Sequence, residues 1–402
     1  MDTEFKYQRK ELELKALLEI TQAINENQSE VVLANIFKFT CLVHLNIKSM
    51  VLYVAKEGAF EKMISHGVKS EVPLLIPAKD INDEKSSGQL RIELPDGYSF
   101  QELETYLPVY HKDKMLAILF LRRKEPNQEL DLDFTQALTN ILVVALENKR
   151  FARKQLQQEI LNREIAIASQ VQQMLFPAEL PDTKKLKAKV TYFPHSMVGG
   201  DYYDLIQRSK DEVFFCIADV SGKGFAAALL MSNFQATLRT LLRSDADLKM
   251  IVNQLNFTLY ENTKGERFIT FFLGYYNYKT KKLQYVNAGH NAPILCWENQ
   301  NRQELLQAGT TILGAFDELP FLEIGERKNL ESFTIHLYTD GLTEAINKEE
   351  EEYGESRLED FVKNHLCMDP EDFHREFFKE MRAFSDEVPL RDDLTLLSLR
   401  IR

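Results

Sequence analysis

An apolar stripe near the middle of the chain sets the first limit on its fold. Leu138, Leu142, Ala145, Ala152, Leu156, Ile160, Ile167, Val171 and Met174 follow one another at steps of three, four and seven, with Lys149 and Arg163 interrupting them. Such spacing returns side chains to one face of an α-helix and predicts a continuous helix over 131–176. Asp131 or Asp133 offers the N-cap carboxylate, and Pro177 and Pro181 of FPAELP cannot extend the helix. At about 1.5 Å per residue the element is roughly 60 Å long, more than one face of a small domain covers. A parallel dimeric coiled coil is therefore expected in preference to packing on the chain's own domains. The helix also divides the chain, and 402 residues leave room for a separate core on either side of it.

Before the stripe, Leu14, Leu17, Leu18, Ile20 and Ile24 recur at helical spacing, as do Val31, Ile36, Phe39 and Leu42. Ser49–Val54 and Met115–Leu121 read as apolar strands separated by the turn-rich stretches SSGQ and LPDG. Helices flanking a sheet of short strands predict an α+β domain over 1–150. After the stripe, VFFCIADVSGKG, FITFFLGYYNY, LQYVNAGHNAP, FTIHLYTDG and DDLTLLSLRI each join a β-branched or apolar run to a Gly, Asn or Asp cluster. KTKK before Leu283 reads as a hairpin turn, and helices are expected at Ala226–Leu242, Met250–Glu261 and Glu371–Phe384. A second, larger α+β domain with antiparallel pairing is predicted over 180–402.

In that second domain Asp201, Asp219, Asp340 and Asp392 each lie at the end of an apolar run or beside a turn. One such Asp is ordinarily a turn former or helix cap. Several at strand edges of one domain form a hard oxygen donor set suited to Mg²⁺ or Mn²⁺, and if they converge they need a cation, because neighbouring carboxylates raise one another's pKa.

The ordered segments VGGDYYD, IADVSGKGFAAALLM, NAGHNAP, YTDGLTEA, YGESRL and DDLTLL resemble the SpoIIE-like bacterial branch of the metal-dependent (type 2C) serine/threonine protein phosphatases, over residues 155–402. LDFTQALTNILVVALENKRF, with the helix–strand pattern before it, is similar to the closing helix of a GAF domain. The resemblance implies an αββα sandwich with a two-metal centre (Mn²⁺ or Mg²⁺) at one sheet edge. It implies Asp219 between the metals with the Val220 carbonyl as a further ligand, Asp340 and Asp392 on one ion, and Asp201 on the other directly or through water. Asp393 would support these ligands, and Asp204 is a weaker candidate whose ordinary role is a turn. Two such ions activate water for in-line attack on phosphorus and neutralise phosphoryl charge. Gly199, Gly200, Gly222 and Gly224 would let backbone approach the centre, the last two also fitting a helix start. The wider superfamily carries a His after the DG aspartate and an upstream phosphate-binding Arg. Here Ser221 follows Val220, and VTYFPHSMVGGD contains no Arg before Asp201, so the donor of the leaving-group proton is open, a metal-bound water being the preferred one.

The implied function is hydrolysis of phosphoserine or phosphothreonine on a protein, a phosphorylated STAS-domain anti-anti-sigma factor by resemblance. An unidentified small molecule or protein would act on the GAF-like domain, and the long helix would pass the signal through a homodimer. The rival from another class is a catalytically inactive phosphatase-like domain that only binds a signalling partner; degenerate enzymes commonly lose an Asp, and all four are present here. No Gly-rich nucleotide loop, HRD or DFG pattern supports a kinase.

Lys and Arg total 49 against 61 Asp and Glu, a net charge of −12, so the average surface repels nucleic acid and anionic lipid. The longest apolar run near the middle, Ile141–Leu146, is far short of a membrane span, and MDTEFKYQRKELELK lacks the apolar core of a secretory leader, so a cytoplasmic location is expected. Cys41, Cys216, Cys296 and Cys367 have no metal-ligand spacing and read as reduced thiols. His290 reads as a loop-tying histidine, Lys223 as a surface lysine, KKLKAK at 184–189 as a solvated connector, and EEEE at 349–352 as an exposed loop.

Overall fold

The computed structural model describes residues 2–84, 89–92, 99–100, 102–111, 114–125, 131–244, 246–297, 300, 302–366 and 368–402. Cys367 and most of the SSGQ and LPDG turns lie outside these residues. Two compact units result, Met1–Glu159 and Ile160–Arg402.

The first unit contains α1 (Asp2–Asn25), α2 (Glu30–Val43), β1 (Ile47–Lys56), β2 (Ala59–His66), β3 (Leu75–Pro77), β4 (Ile81–Glu84), β5 (Gln89–Ile92), β6 (Thr105–His111), β7 (Lys114–Arg123) and the start of α3 (Leu132–Gln173). An antiparallel sheet runs in the order β3-β2-β1-β7-β6, and β4 pairs with β5. β1 reads as an unbroken apolar run because both of its faces are covered. Met50, Leu52 and Val54 pack with Ile20 of α1, Leu33 of α2 and Leu138 of α3, whereas Val51 and Tyr53 pack with Phe60, Ile118 and Phe120 on the opposite face.

The expected long helix is α3. Asp131, rather than Asp133, caps it: its Oδ1 accepts the Phe134 N–H at 2.9 Å. Leu138, Leu142 and Ala145 are buried, while Leu156, Ile160, Ile167, Val171 and Met174 are each more than half exposed in the single chain.

The second unit holds β8 (Leu186–Phe193), β9 (Tyr202–Ser209), β10 (Glu212–Val220), α4 (Phe225–Leu242), α5 (Leu248–Thr263), β11 (Ile269–Asn277), β12 (Lys282–Ala288), β13 (Ile294–Trp297), β14 (Arg302–Leu305), β15 (Gly309–Thr310), β16 (Gly325–Arg327), β17 (Phe333–Tyr338), α6 (Asp340–Thr343), α7 (Gly354–Asn364), α8 (Pro370–Ser385) and β18 (Leu394–Ile401). One sheet runs β15-β12-β11-β10-β9, with β16 also on β12, and a second runs β14-β13-β17-β18-β8. Phe215, Phe272, Tyr285, Phe333 and Leu397 fill the space between the sheets. Met231, Phe234, Ile251 and Leu255 seal α4 and α5 onto the first sheet, and Phe361, Phe373 and Phe377 seal α7 and α8 onto the second. These three cores define an αββα sandwich.

The segment 184–189 is not a connector. Leu186, Ala188, Val190 and Tyr192 alternate into the inter-sheet core, and β8 pairs antiparallel with β18 along its length. Lys187 and Lys189 point away, to Asp369 at 2.9 Å and Glu371 at 3.6 Å. The period of two is present in LKAKVTY, but a small Ala and two lysines thin out its apolar signal.

Candidate active site

β10 and β17 are buried, apolar strands whose last residues emerge at one edge of the sandwich, where a chain end must turn and polar groups meet water. Asp219 is the penultimate residue of β10 and Val220 the last; Asp340 opens α6 one residue after β17 ends at Tyr338, with Thr339 as its N-cap residue; Asp392 and Asp393 immediately precede β18, and Asp201 precedes β9. Both sheets therefore contribute acids to the same edge. Asp201 bridges them directly, its Oδ2 accepting the hydroxyls of Thr339 at 2.9 Å and Thr395 at 2.5 Å.

The charges feel one another. Burial, then Asp340, Asp392 and Asp393, pushes the Asp219 carboxyl up to about 7. Burial, then Asp219, holds Asp201 well above the usual carboxylate range, and burial with Asp392 raises Asp340. Glu344 of the same YTDGLTEA segment is raised by partial burial and by Asp340. Each of these shifts has the same origin, negative charge in a partly desolvated edge with too little positive charge beside it.

The oxygens are meanwhile held by protein donors. Asp392 Oδ2 lies 2.7 Å from Lys223 Nζ. Asp393 Oδ1 accepts the His195 N–H and Oδ2 the Gly200 N–H, each at 2.7 Å. Gly199 sits so close to this clamp that a Cβ would overlap Asp393 Oδ2 and the Tyr192 hydroxyl. Gln172 of α3 grips the same glycine, donating to its carbonyl at 2.8 Å and accepting its N–H at 3.3 Å. Among the described residues, no three His, Cys, Asp or Glu side chains stand ready-made around one ion position. The oxygens of Asp201, Asp392 and Asp393 point to Thr, Lys and amide donors, yet the all-oxygen donor set and its unrelieved repulsion fit hard divalent cations.

The remaining sequence candidates fall elsewhere. Asp204 is neither a turn former nor part of the acid edge: fully buried in β9, it accepts from Tyr202 Oη at 2.6 Å and pairs with Arg239 Nε of α4 at 2.7 Å. His290 ties loops, as expected, with Nδ1 2.8 Å from Thr270 Oγ1 and Nε2 3.0 Å from the Tyr338 carbonyl. Lys223 is more than a surface lysine, given its contact with Asp392. Gly224, at φ +73°, starts α4, and Glu349–Glu352 form an exposed loop. Sequence reading missed Thr339, Thr395, Gln172 and Glu344. The threonines flank motif aspartates in YTDG and DDLT and were open to recognition as their donors; Gln172 carries no such signal.

Comparison with known proteins agrees with this fold. The family described as Stage II sporulation protein E (SpoIIE) matches residues 209–402. Phosphoserine phosphatase RsbU of Bacillus subtilis is 28% identical over 245 residues, spanning 61% of this chain and 72% of RsbU. Protein IcfG of Synechocystis is 27% identical over 222 residues, 48% of this chain but 35% of IcfG. The SiaA-PP2C domain of Pseudomonas aeruginosa superposes with a TM-score of 0.54 at 20% identity, covering 61% of this chain and 99% of that domain, a likeness of fold. Among the described residues no helix is long and apolar enough to cross a membrane. The second unit of this chain thus has the PP2C fold, and most of it, residues 209–402, matches the SpoIIE family.

Proposed function

We propose that this chain is a metal-dependent protein serine/threonine phosphatase of bacterial signalling, acting in the cytoplasm on a phosphorylated STAS-domain anti-anti-sigma factor. The observation that carries the reading is the edge where burial and crowding with Asp392 and with one another raise the carboxyls of Asp201, Asp219 and Asp340. Asp219, the Val220 carbonyl, Asp340, Asp392 and Asp201 would hold two Mn²⁺ or Mg²⁺ ions, with Asp393 fixing the 195–200 loop beside them. When bound, the ions activate water and neutralise phosphoryl charge. The residues do the rest: Thr339 and Thr395 aim Asp201, the Asp393 clamp fixes the Gly200 backbone, and Lys223 balances Asp392.

The five-stranded sheet of the first unit, with helices on one face, supports a GAF-like sensor. An open groove of about 840 Å³ beside Phe60, Glu147 and Arg150 gives an input molecule room. The exposed apolar residues of α3 from Leu156 to Val171 support a homodimeric coiled coil, and the Gln172–Gly199 pair is the point at which that helix reaches the acid edge.

The test is phosphate release from the phosphoserine form of a STAS-domain protein by the full chain with Mn²⁺. Hydrolysis is expected, and Asp219→Asn should abolish it. Equal rates in both proteins would overturn the assignment, and retained binding without hydrolysis in the wild type would identify the non-catalytic alternative.

A further inference from the structure

The cations bordering the acid edge are not engaged alike. Lys223 Nζ is committed to Asp392 Oδ2 and to the Arg391 carbonyl, both at 2.7 Å. Arg391 faces Glu350 of the acidic loop at 3.9 Å. Arg267 has no such partner: among the described residues no ion pair engages it, and Nη1 donates to the Ser221 carbonyl at 3.2 Å.

Its place follows from the strand ladder. Val220 of β10 lies opposite Ile269 of β11. Beyond that pair, the Ser221 N–H donates to the Phe268 carbonyl and the Phe268 N–H to Ser221 Oγ, both at 2.9 Å. Arg267 therefore falls across from Gly222, in the loop that leaves Asp219 and Val220. The Thr263 hydroxyl donates to the Arg267 carbonyl at 3.2 Å and steadies the turn. Gly222 completes the arrangement, because its φ of +95° disfavours any L side chain and a Cβ there would overlap Arg267 Nη1.

A guanidinium carries five N–H donors in a planar fork, matched to the paired oxygens of a phosphate. Here the fork lies exposed at the rim of an edge whose carboxylates repel any incoming phosphate. A cation meant to neutralise the edge would pair with an acid, as Lys223 does. Arg267 keeps donors in reserve instead.

We propose that Arg267 anchors the substrate's phosphate, taking its phosphoryl oxygens as the phosphorylated side chain enters the acid edge. The inference rests on the phosphatase reading above. The test uses the full chain with Mn²⁺, p-nitrophenyl phosphate as substrate and inorganic phosphate as inhibitor. In Arg267→Ala, KM and the phosphate inhibition constant should rise together by on the order of tenfold, with kcat changed by less than about threefold. Arg267→Lys should recover part of the loss, since it restores charge without the fork, and Arg243→Ala, an exposed arginine ending α4, should match wild type. Unchanged KM and inhibition constant in Arg267→Ala overturn the anchor. So does a fall in kcat with unaltered phosphate inhibition and a lowered Tm, which would make Arg267 a support for the loop. Calorimetric titration of inorganic phosphate into wild type and Arg267→Ala needs no turnover and separates the two readings. Phosphate binding that depends on Arg267 without hydrolysis keeps the anchor and removes the phosphatase reading. Hydrolysis indifferent to Arg267 does the reverse, and neither binding nor hydrolysis overturns both.

Discussion

β17 and β18 carry two buried polar clusters of opposite character. Midway along the strands, His336 and Ser398 face each other across the ladder, and Ser398 Oγ sits between His336 Nδ1 at 2.7 Å and His374 Nε2 of α8 at 2.9 Å. Thr191 Oγ1 of β8 takes the other His374 nitrogen at 2.8 Å. These groups are neutral and each imidazole has a hydroxyl partner, so the cluster fastens α8 and β8 to the sheet. At the strand ends, the aspartates are crowded, oppose one another's ionisation and are only partly matched by donors. One cluster is complete within the protein; the other carries repulsion between carboxyls that its described neighbours leave unrelieved. Structural polar groups satisfy themselves, whereas a site keeps charge for a ligand.

The largest effect expected from this contrast is at Asp219. Asp219→Asn should cut Mn²⁺-dependent turnover by on the order of a thousandfold while raising the Tm of the EDTA-treated protein, because a repelling charge is gone. Scanning calorimetry with and without EDTA checks the second half; a lower Tm in EDTA would show that the carboxylate is structurally satisfied, and the contrast would fail.

Next in size is His374→Ala. It opens a cavity, strands Thr191 and leaves Ser398 only its His336 partner, which should cost about 2–4 kcal/mol by urea denaturation with kcat/KM of the folded protein unchanged. A kcat/KM loss at full folding would mean that the two clusters are coupled.

The two clusters also differ in how legible they were. The acid edge was readable because Asp at the end of an apolar run is a local pattern, repeated in IADVSG, YTDG and RDDLT. The histidine cluster was not, because His336 and His374 reach it from a strand and a helix, and nothing within either segment announces a shared hydroxyl. The same reason hid β8, whose alternation shows only once Ala188 is known to face a core, and Arg267, whose meaning depends on its cross-strand glycine. Asp204 misled in the other direction: a strand residue near a motif resembled a turn, but its partner Arg239 lies 35 residues onward. The αββα layers followed from the resemblance, while the individual hydrogen bonds that set the site required the fold.

Acidity should pull the clusters apart. Burial lowers His290 to about 4 and both His336 and His374 to about 3. Below pH 6.5 the unfolded chain takes up protons that these buried rings refuse, so their contribution to stability falls with falling pH, at up to about 1.4 kcal/mol per pH unit for each ring. Asp219, pushed up to about 7, behaves oppositely: between about pH 7 and 4 the folded state holds a proton that the unfolded state has released, and stability rises as pH falls. EDTA-treated protein should therefore show a shallower loss of stability from pH 7 to 5 than Asp219→Asn, measured as urea midpoints. Parallel curves for the two proteins would mean that Asp219 is not crowded by its neighbours.

The smallest expected effect concerns Lys223, the one cation among the described residues that forms an ion pair with a candidate ligand, at Asp392. Its side chain is 55% exposed, so the pair contributes under about 1 kcal/mol to stability, and Lys223→Met should barely move the urea midpoint in EDTA. Yet an ammonium on Asp392 competes with any divalent ion for the same oxygens. Removing it frees the carboxylate and costs some long-range attraction on the phosphate side, so Mn²⁺ should bind more tightly by roughly threefold, the equivalent of an exposed ion pair, in isothermal titration calorimetry. Weaker Mn²⁺ binding in Lys223→Met would place the lysine on the side of the ligands, ordering Asp392 for the ion, and the acid edge would then be closer to the self-satisfied histidine cluster than its repulsions indicate.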